Sequence, residues 1–306
     1  MEPFFTNDAI VFGLLVVLLA FVFYTSSSDS KIWKRFYGVV PPLLLCYFLP
    51  ALMNYPLGLI SGEESNLYFV ASRYLLPASL ILLCLSIDFK GIRNLGPKAL
   101  IMFLTATVGV MIGGPLAIIF FKYVAPDILV QVEGTELWKG LSTVAGSWIG
   151  GGANQLAMKE QWEVSDNLFS IMAVVDVLVA EVWMAFLLIG VAKSDAIDRW
   201  FKADNSSITE LKNKMEKFTL ETARIPSFND LIILLGIAFG VTSIGHLVGD
   251  NLGNYITNNV PFLVDFGLGS SFFWLIITAT TIGIFLSFTK AKSYEGAGAS
   301  KIGTVF

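Results

Sequence analysis

Long apolar blocks separated by short polar stretches recur from one end of the chain to the other. Residues 9–24, 37–60, 67–87, 99–121, 167–191, 231–248 and 271–288 form such blocks, and each predicts a helix in a bilayer. The first is short for a span of about 20 residues, and Asp8 stands where a helix cap is needed. It lacks a positively charged leader and a small-residue cleavage site, so it reads as a retained helix. The second block carries Pro41 and Pro42 at its start and Pro50 inside, where the missing backbone donor predicts a kink. Pro77 predicts another kink in the third. Gly109, Gly113 and Gly114 in the fourth predict close helix packing, the ordinary use of Gly-xxx-Gly in membranes, in preference to a mobile interface.

Residues 136–164, counted as the fifth segment, break the pattern. They hold Gly146-Ser147-Trp148-Ile149-Gly150-Gly151-Gly152-Ala153-Asn154-Gln155, in which three successive glycines each cost a helix about 1 kcal/mol relative to Ala. One helix is expected to stop near Gly146 and another to start near Asn154. Non-helical backbone at membrane depth survives only where protein buries it or water reaches it.

Composition supports the membrane reading. Hydrophobic residues make up 55% of the 306 and charged ones 14%, against about 25% charged in soluble domains. Cys46 and Cys84 both lie in apolar blocks and are expected to be buried thiols, not a disulfide. The net charge is −4, but its distribution says more. Three Lys/Arg (Lys31, Lys34, Arg35) follow the first helix, three (Lys90, Arg93, Lys98) the third, seven the sixth (Lys193 to Arg224) and two (Lys290, Lys292) the eighth. The loops after helices two, four and seven are acidic or uncharged on balance, with Glu63, Glu64, Asp127, Glu133, Glu136, Asp250 and Asp265. Basic loops stay in the cytoplasm. The alternation therefore puts the N-terminus outside, and it is kept only if residues 136–164 enter and leave on the outer side. A re-entrant hairpin is the result, each arm reaching about 15 Å, to the middle of a core about 30 Å thick. Within the long basic stretch, Ser207-Ile208-Thr209-Glu210 has the capping-box pattern, and Ile208, Leu211, Met215 and Phe218 share a face. That predicts an amphipathic helix on the membrane surface, and the Asn205-Ser206-Ser207 sequon there reads as chance. The organisation expected is a first helical unit over residues 1–191, a cytoplasmic loop over 192–229, and the start of a second helical unit over 230–306.

Candidate chemistry sits at mid-membrane. Asp176 lies about nine residues into the sixth helix, and Glu181 five residues further on. A carboxylate at the bilayer centre costs about 2.5–3.5 kcal/mol on an insertion scale. The functional reading is a site for a coupling Na⁺ or H⁺ or a wall of the solute path; the plain one is an ion pair with a group such as Arg73. At the glycine break, Asn154 and Gln155 stand where free amides would receive an anion, or where Asn154 merely caps a helix. Carbonyls at Gly150, Gly151 and Gly152 are expected to face a cation, with Thr143 and Ser147 adding hydroxyls and Trp148 covering the site or packing. Arg73 reads as a snorkelling or structural charge, and His246, placed near the outer end of the seventh helix, as a satisfied polar residue. No metal-ligand cluster, phosphate loop, nucleophile–base set or basic-aromatic stripe for nucleic acid is visible.

Tyr74-Leu75-Leu76-Pro77, Ser86-Ile87-Asp88, Trp148-Ile149-Gly150-Gly151-Gly152-Ala153-Asn154 and Val174-Val175-Asp176 resemble domain-of-unknown-function family 819, also called YjcL-like, over Phe36 to the end. Resemblance implies integral membrane proteins of transporter-like kind. It also implies a second half with its own Asn- and Gly-containing broken segment. Residues 297–306 read as the beginning of a further helix, so the chain is expected to be incomplete at its C-terminus.

The fold class expected is all-α: a polytopic membrane helix bundle with a broken or re-entrant helix, half of an inverted-repeat transporter fold plus the start of the second half. The function expected is ion-coupled secondary transport of a small solute in the inner membrane, with no cofactor beyond Na⁺ or H⁺. The partners expected are the bilayer, a small-molecule or ionic substrate and a second copy in a homodimer. The alternative is a membrane-embedded interaction or sensory subunit without transport; an enzyme ranks behind both.

Overall fold

An apolar chain in lipid has no water to satisfy its peptide groups, so it must close their hydrogen bonds within each segment. The computed structural model accordingly contains helices and no strand among the residues it describes, which are 3–38, 40–62, 65–89, 93, 96–127, 137–191, 194–202, 213 and 224–306. The predicted amphipathic helix around Ile208 to Phe218 and the Asn205 sequon lie outside them. Five helices among the described residues are long and apolar enough to cross a membrane: α1 (Asp8–Ser26), α4 (Leu67–Leu85), α5 (Gly96–Val124), α8 (Asp166–Val191) and α10 (Phe228–Asn259). A sixth is reached if α11 (Ser271–Leu286) and the 3₁₀ helix Lys290–Ala297, which meet at 94°, count as one bent span. The protein is thus a multi-pass helical membrane protein.

The chain divides into two units, Met1–Val70 with Val164–Lys202, and Ala71–Glu163 with Ala203–Phe306. In the first, the predicted second span shortens to α3 (Pro42–Asn54), and the basic loop predicted before it forms a short helix, α2 (Lys31–Tyr37). The prolines explain this. A residue before proline is pushed out of the helical region, and Pro41 and Tyr55, which precede Pro42 and Pro56, are both extended. They bracket α3, which continues past Pro50. The basic and aromatic α2 suits an interface position, with Trp33 edge-on to Phe21 at 6.0 Å. The cap of α1 is Asn7, whose side chain accepts from the Ala9 N–H at 2.8 Å. Asp8, the predicted cap, instead accepts from the Ser65 hydroxyl at 2.9 Å and the Asn66 amide at 3.2 Å. α3 packs on both α1 and α8, and a short helix, α9 (Ser194–Phe201), follows α8.

The second unit is built around the latter half of α4. Ala78, Leu82 and Leu85 are buried with Leu234 and Ala238 of α10 and Ala299 of α12 (Ala299–Val305). Ile81 packs with Val241 and Ala279. The Ser79 hydroxyl donates to the Gly303 carbonyl at 2.6 Å, fastening α12 to α4. α10 runs eleven residues past its predicted end at Val248, carrying Asp250 within the helix. Gly245, Gly249 and Gly253, four apart, explain the extension: they form one stripe against the start of α11. A Cβ on Gly249 would stand 2.5 Å from the Ser271 carbonyl oxygen. The pair predicted for close packing, Gly109 and Gly113 on α5, has nothing within 4 Å of either Cβ position.

These two sets of glycines should respond oppositely. Gly249→Ala forces backbone apart and is expected to cost about 1–3 kcal/mol. Gly113→Ala should leave thermal unfolding in detergent unchanged or slightly raised. A Gly249→Ala protein that melts with the wild type would refute the close-packed α10–α11 stripe.

Candidate functional site

The predicted break forms a helical hairpin, α6 (Leu137–Gly150) and α7 (Gly152–Gln161), with a single residue between the helices. That residue, Gly151, has φ +86°, a conformation that a side chain would strain. The glycine pattern predicts an interruption from Gly146 to Asn154; the helices instead run to either side of Gly151. Gly146 and Gly150 lie four apart on α6 and let α7 come close. A Cβ on Gly146 would meet Met158 Cγ at 2.8 Å and the Asn154 carbonyl oxygen at 2.9 Å, and one on Gly150 would overlap the Asn154 side-chain amide. Three glycines therefore serve different ends: two allow approach of the arms and one turns the chain.

The turn leaves fewer open peptide groups than expected. The Gly151 N–H donates to the Ser147 carbonyl at 2.6 Å, and the Gly151 carbonyl accepts from the N–H groups of Asn154 at 3.0 Å and Gln155 at 3.1 Å. A carbonyl predicted to face a cation is thus engaged in starting α7. Asn154, predicted as a cap, sits inside α7 with its side chain against Gly150; the cap position belongs to Gly151. Thr143 is fully buried, and its hydroxyl donates to the Gly140 carbonyl at 2.7 Å, back-bonding along its own helix. Ser147 is half-buried, while Trp148, Gly150, Gly151 and Gly152 are exposed. Gln155 is likewise buried, at 3% exposure, and its Nε2 has no hydrogen-bond partner.

Asp176 belongs to the other unit. It is buried on α8, within electrostatic reach of Tyr47 on α3, while Glu181 is exposed. Only the first of these two carboxylates is enclosed by the fold.

The polar residues around α7 extend beyond those predicted. Lys159, one turn after Gln155 and on the same face, is buried at 4% exposure. Glu160 forms an ion pair with Arg73, whose guanidinium also lies 4.6 Å from the centre of the Phe272 ring. Arg73 is therefore in an ion pair, one of the two settings expected for it, with Glu160 as its partner. The signal that would have found this face is the i, i+4 spacing of Gln155 and Lys159 in a segment placed at membrane depth.

Arg73 owes its setting to Pro77. Pro77 has no N–H for the carbonyl four residues back, and its ring crowds that carbonyl, which is Arg73's. The helix widens into a π turn over Ala71–Leu75. His246 Nε2 lies 2.9 Å from the Arg73 carbonyl oxygen. A carbonyl only accepts, so Nε2 carries the proton. Because α10 is longer than predicted, His246 stands in the middle of its helix, not near its end. π turns of this kind concentrate at functional sites. Buried Ser72 lies in the same turn. Among the described residues no group of three His, Cys, Asp or Glu is placed to hold a metal ion. What the cluster offers is a charged pair largely enclosed by protein.

His246→Leu should leave the Arg73 carbonyl without a donor and cost about 1–3 kcal/mol in detergent unfolding. Pro77→Ala returns an N–H to that carbonyl, so the double variant should lose less than the two single losses added together. Strict additivity would show that the imidazole and the proline do not share the carbonyl.

Comparison with known proteins agrees with this membrane architecture. "Uncharacterized membrane protein YjcL" of Bacillus subtilis (strain 168) is 25% identical over 233 residues. The match covers 74% of this chain and 54% of that protein, so the chain spans about half of its relative. No solved structure matches. The family described as "Protein of unknown function (DUF819)" matches residues 13–306, and the chain belongs to it.

Proposed function

We propose that the chain is part of an inner-membrane secondary transporter that moves a small solute and is coupled to Na⁺ or H⁺. The observation that carries this reading is the α6–α7 hairpin. Its second arm buries Gln155 and Lys159 and pairs Glu160 with Arg73 on a π turn. Broken helices with polar groups at mid-membrane are how many carriers hold solute and ion. In this reading the buried amide and ammonium of α7 face the solute, and the Arg73–Glu160 pair opens and closes as the solute binds. Asp176 takes the coupling ion, and Glu181, exposed, has no part. The hairpin is re-entrant from the outer side, the N-terminus is outside, and the hairpin belongs to the first of two inverted repeats. The chemistry is translocation, without a bond-breaking step or a cofactor.

The test uses the full-length protein in proteoliposomes, with radiolabelled amino acids, carboxylates and amines under imposed Na⁺ or pH gradients. Asp176→Asn should lower gradient-driven uptake by about tenfold or more, since one intramembrane charge decides ion binding. Glu160→Gln should lower both uptake and exchange. Unchanged gradient-driven uptake with Asp176→Asn would remove that carboxylate from the coupling. Solute binding without flux would favour a sensory subunit. For topology, a cysteine replacing Lys212 should react with an impermeant thiol reagent only from the cytoplasmic side. Labelling from the outside alone would overturn the re-entrant assignment.

A further inference from the structure

A cleft of about 330 Å³ lies within the second unit, at the end of the hairpin opposite the Gly151 turn. Lys139 of α6, Gln161 and Trp162 at the end of α7, Glu163, Thr257 of α10 and Ser270 line it. Its size is at the small end of the range for solute pockets, about 300–1,000 Å³.

Three features mark it as more than a gap between helices. The first is Gln161, whose Nε2 donates to the Gly267 carbonyl at 2.5 Å. Gly267 has φ +75°, and a Cβ there would strike the Gln161 amide, so the glycine is what lets this bond form. The bond fixes the amide, and its Oε1 is left as a buried acceptor with no donor. Buried acceptors in native proteins are nearly always satisfied, if not by protein then by water or a ligand. The second feature is Glu163, held at φ +50°, where non-glycine residues are uncommon and where strain gathers at functional positions. The third is an aromatic wall: Trp162 lines the cleft and is backed by Trp138, the two rings meeting edge to face at 5.3 Å, with Lys139 Nζ 5.7 Å from the Trp138 ring centre.

The charges select the ligand. Among the described residues, one ammonium, from Lys139, and one carboxylate, from Glu163, line the same small cleft. A simple anion would find Glu163 repelling it, and a simple amine would find Lys139. A solute with both charges meets an opposite charge at each end. We propose that this cleft binds a small zwitterionic amino acid, its carboxylate toward Lys139 and its ammonium toward Glu163. The inference names a solute class for the proposed carrier, and it rests on that reading only for the passage of the bound solute across the membrane.

Binding is tested without flux. The purified full-length protein in detergent is titrated with L-alanine and L-leucine while the fluorescence of its tryptophans is followed, with propionate and ethylamine as single-charge probes. A saturable change with an amino acid and none with either single-charge probe is the expected result. Glu163→Gln and Lys139→Gln should each weaken the amino acid by about tenfold or more, as loss of one partner of a charge pair does. Lys139→Arg should restore binding, and unchanged melting temperatures check that the variants fold. No saturable response to either amino acid, or an equal response to propionate or ethylamine alone, overturns the proposal. Binding that survives while gradient-driven uptake is absent would count against the transport reading and leave this site standing.

Discussion

A proline inside a membrane helix removes a donor where no water can replace it, and the second unit is arranged around that one deficit. Pro77 leaves the Arg73 carbonyl unmatched and crowds it. The backbone answers by widening into the π turn Ala71–Leu75, and α10 answers by placing His246 within 2.9 Å of the carbonyl oxygen. The two responses have a joint consequence. The widened turn is where Arg73 meets Glu160 on α7 and the Phe272 ring on α11. One missing hydrogen bond thus brings α4, α7, α10 and α11 into a single network. In lipid an orphan peptide group costs more than in water, so such a deficit is a strong organising force.

The second constraint is distance. Without water to drive apolar faces together, membrane helices associate by close packing, and that favours small residues where backbones meet. Gly245, Gly249 and Gly253 do this for α10 against α11, and Gly146 and Gly150 for α6 against α7. At Gly283 a Cβ would lie 3.0 Å from Cys84 Cβ and 3.2 Å from Ile81 Cα, and Gly303 is equally tight against Leu82 and Ser79. The buried latter half of α4 is therefore met by glycines from two different elements. α5, by contrast, has no buried residue between Leu100 and Val124, and its glycines meet nothing.

These two constraints decide which parts of the fold are legible in the chain. Apolar length reports spans directly, so α1, α4, α5 and α8 fall close to where the pattern of hydrophobicity puts them, and the hairpin is visible as a glycine-rich, half-polar interruption. Hydropathy cannot say what a glycine is for. Gly109 and Gly113 have the packing spacing but no neighbour, while Gly249 looks like the start of a loop and proves to be a contact. Pro50 predicts a kink in α3, whereas the decisive effect comes from the residues before Pro42 and Pro56, which set the two ends of that helix. The cap goes to Asn7 because Asp8 has partners in Ser65 and Asn66, a tertiary preference that no local pattern carries. Among the predicted site residues, Gln155 and Asp176 stand out as polar residues within or beside apolar segments. Lys159 and Glu160 escape notice because a charged run near the end of an apolar segment looks like a loop.

Those two charges bear on what the hairpin is for. An arm that only filled space would be more stable with leucine at Gln155 and Lys159, since a buried charge carries a desolvation penalty of several kcal/mol and an ion pair recovers it only partly. The glycines of α6 show that close apolar packing is within reach of this sequence, and Ala153, Leu156 and Ala157 use it on the opposite side of α7 against Leu76, Phe272 and Leu275. α7 is thus two-faced by composition. One face is pressed onto α4 and α11 by ordinary burial, and the other carries an amide donor without an acceptor and a buried ammonium one turn away. A helix fixed by one face and polar on the other can be held in place while the polar face exchanges partners. This division of labour is the physical content of the carrier reading, and it depends on α7 remaining docked through Leu156 when the Arg73–Glu160 pair opens.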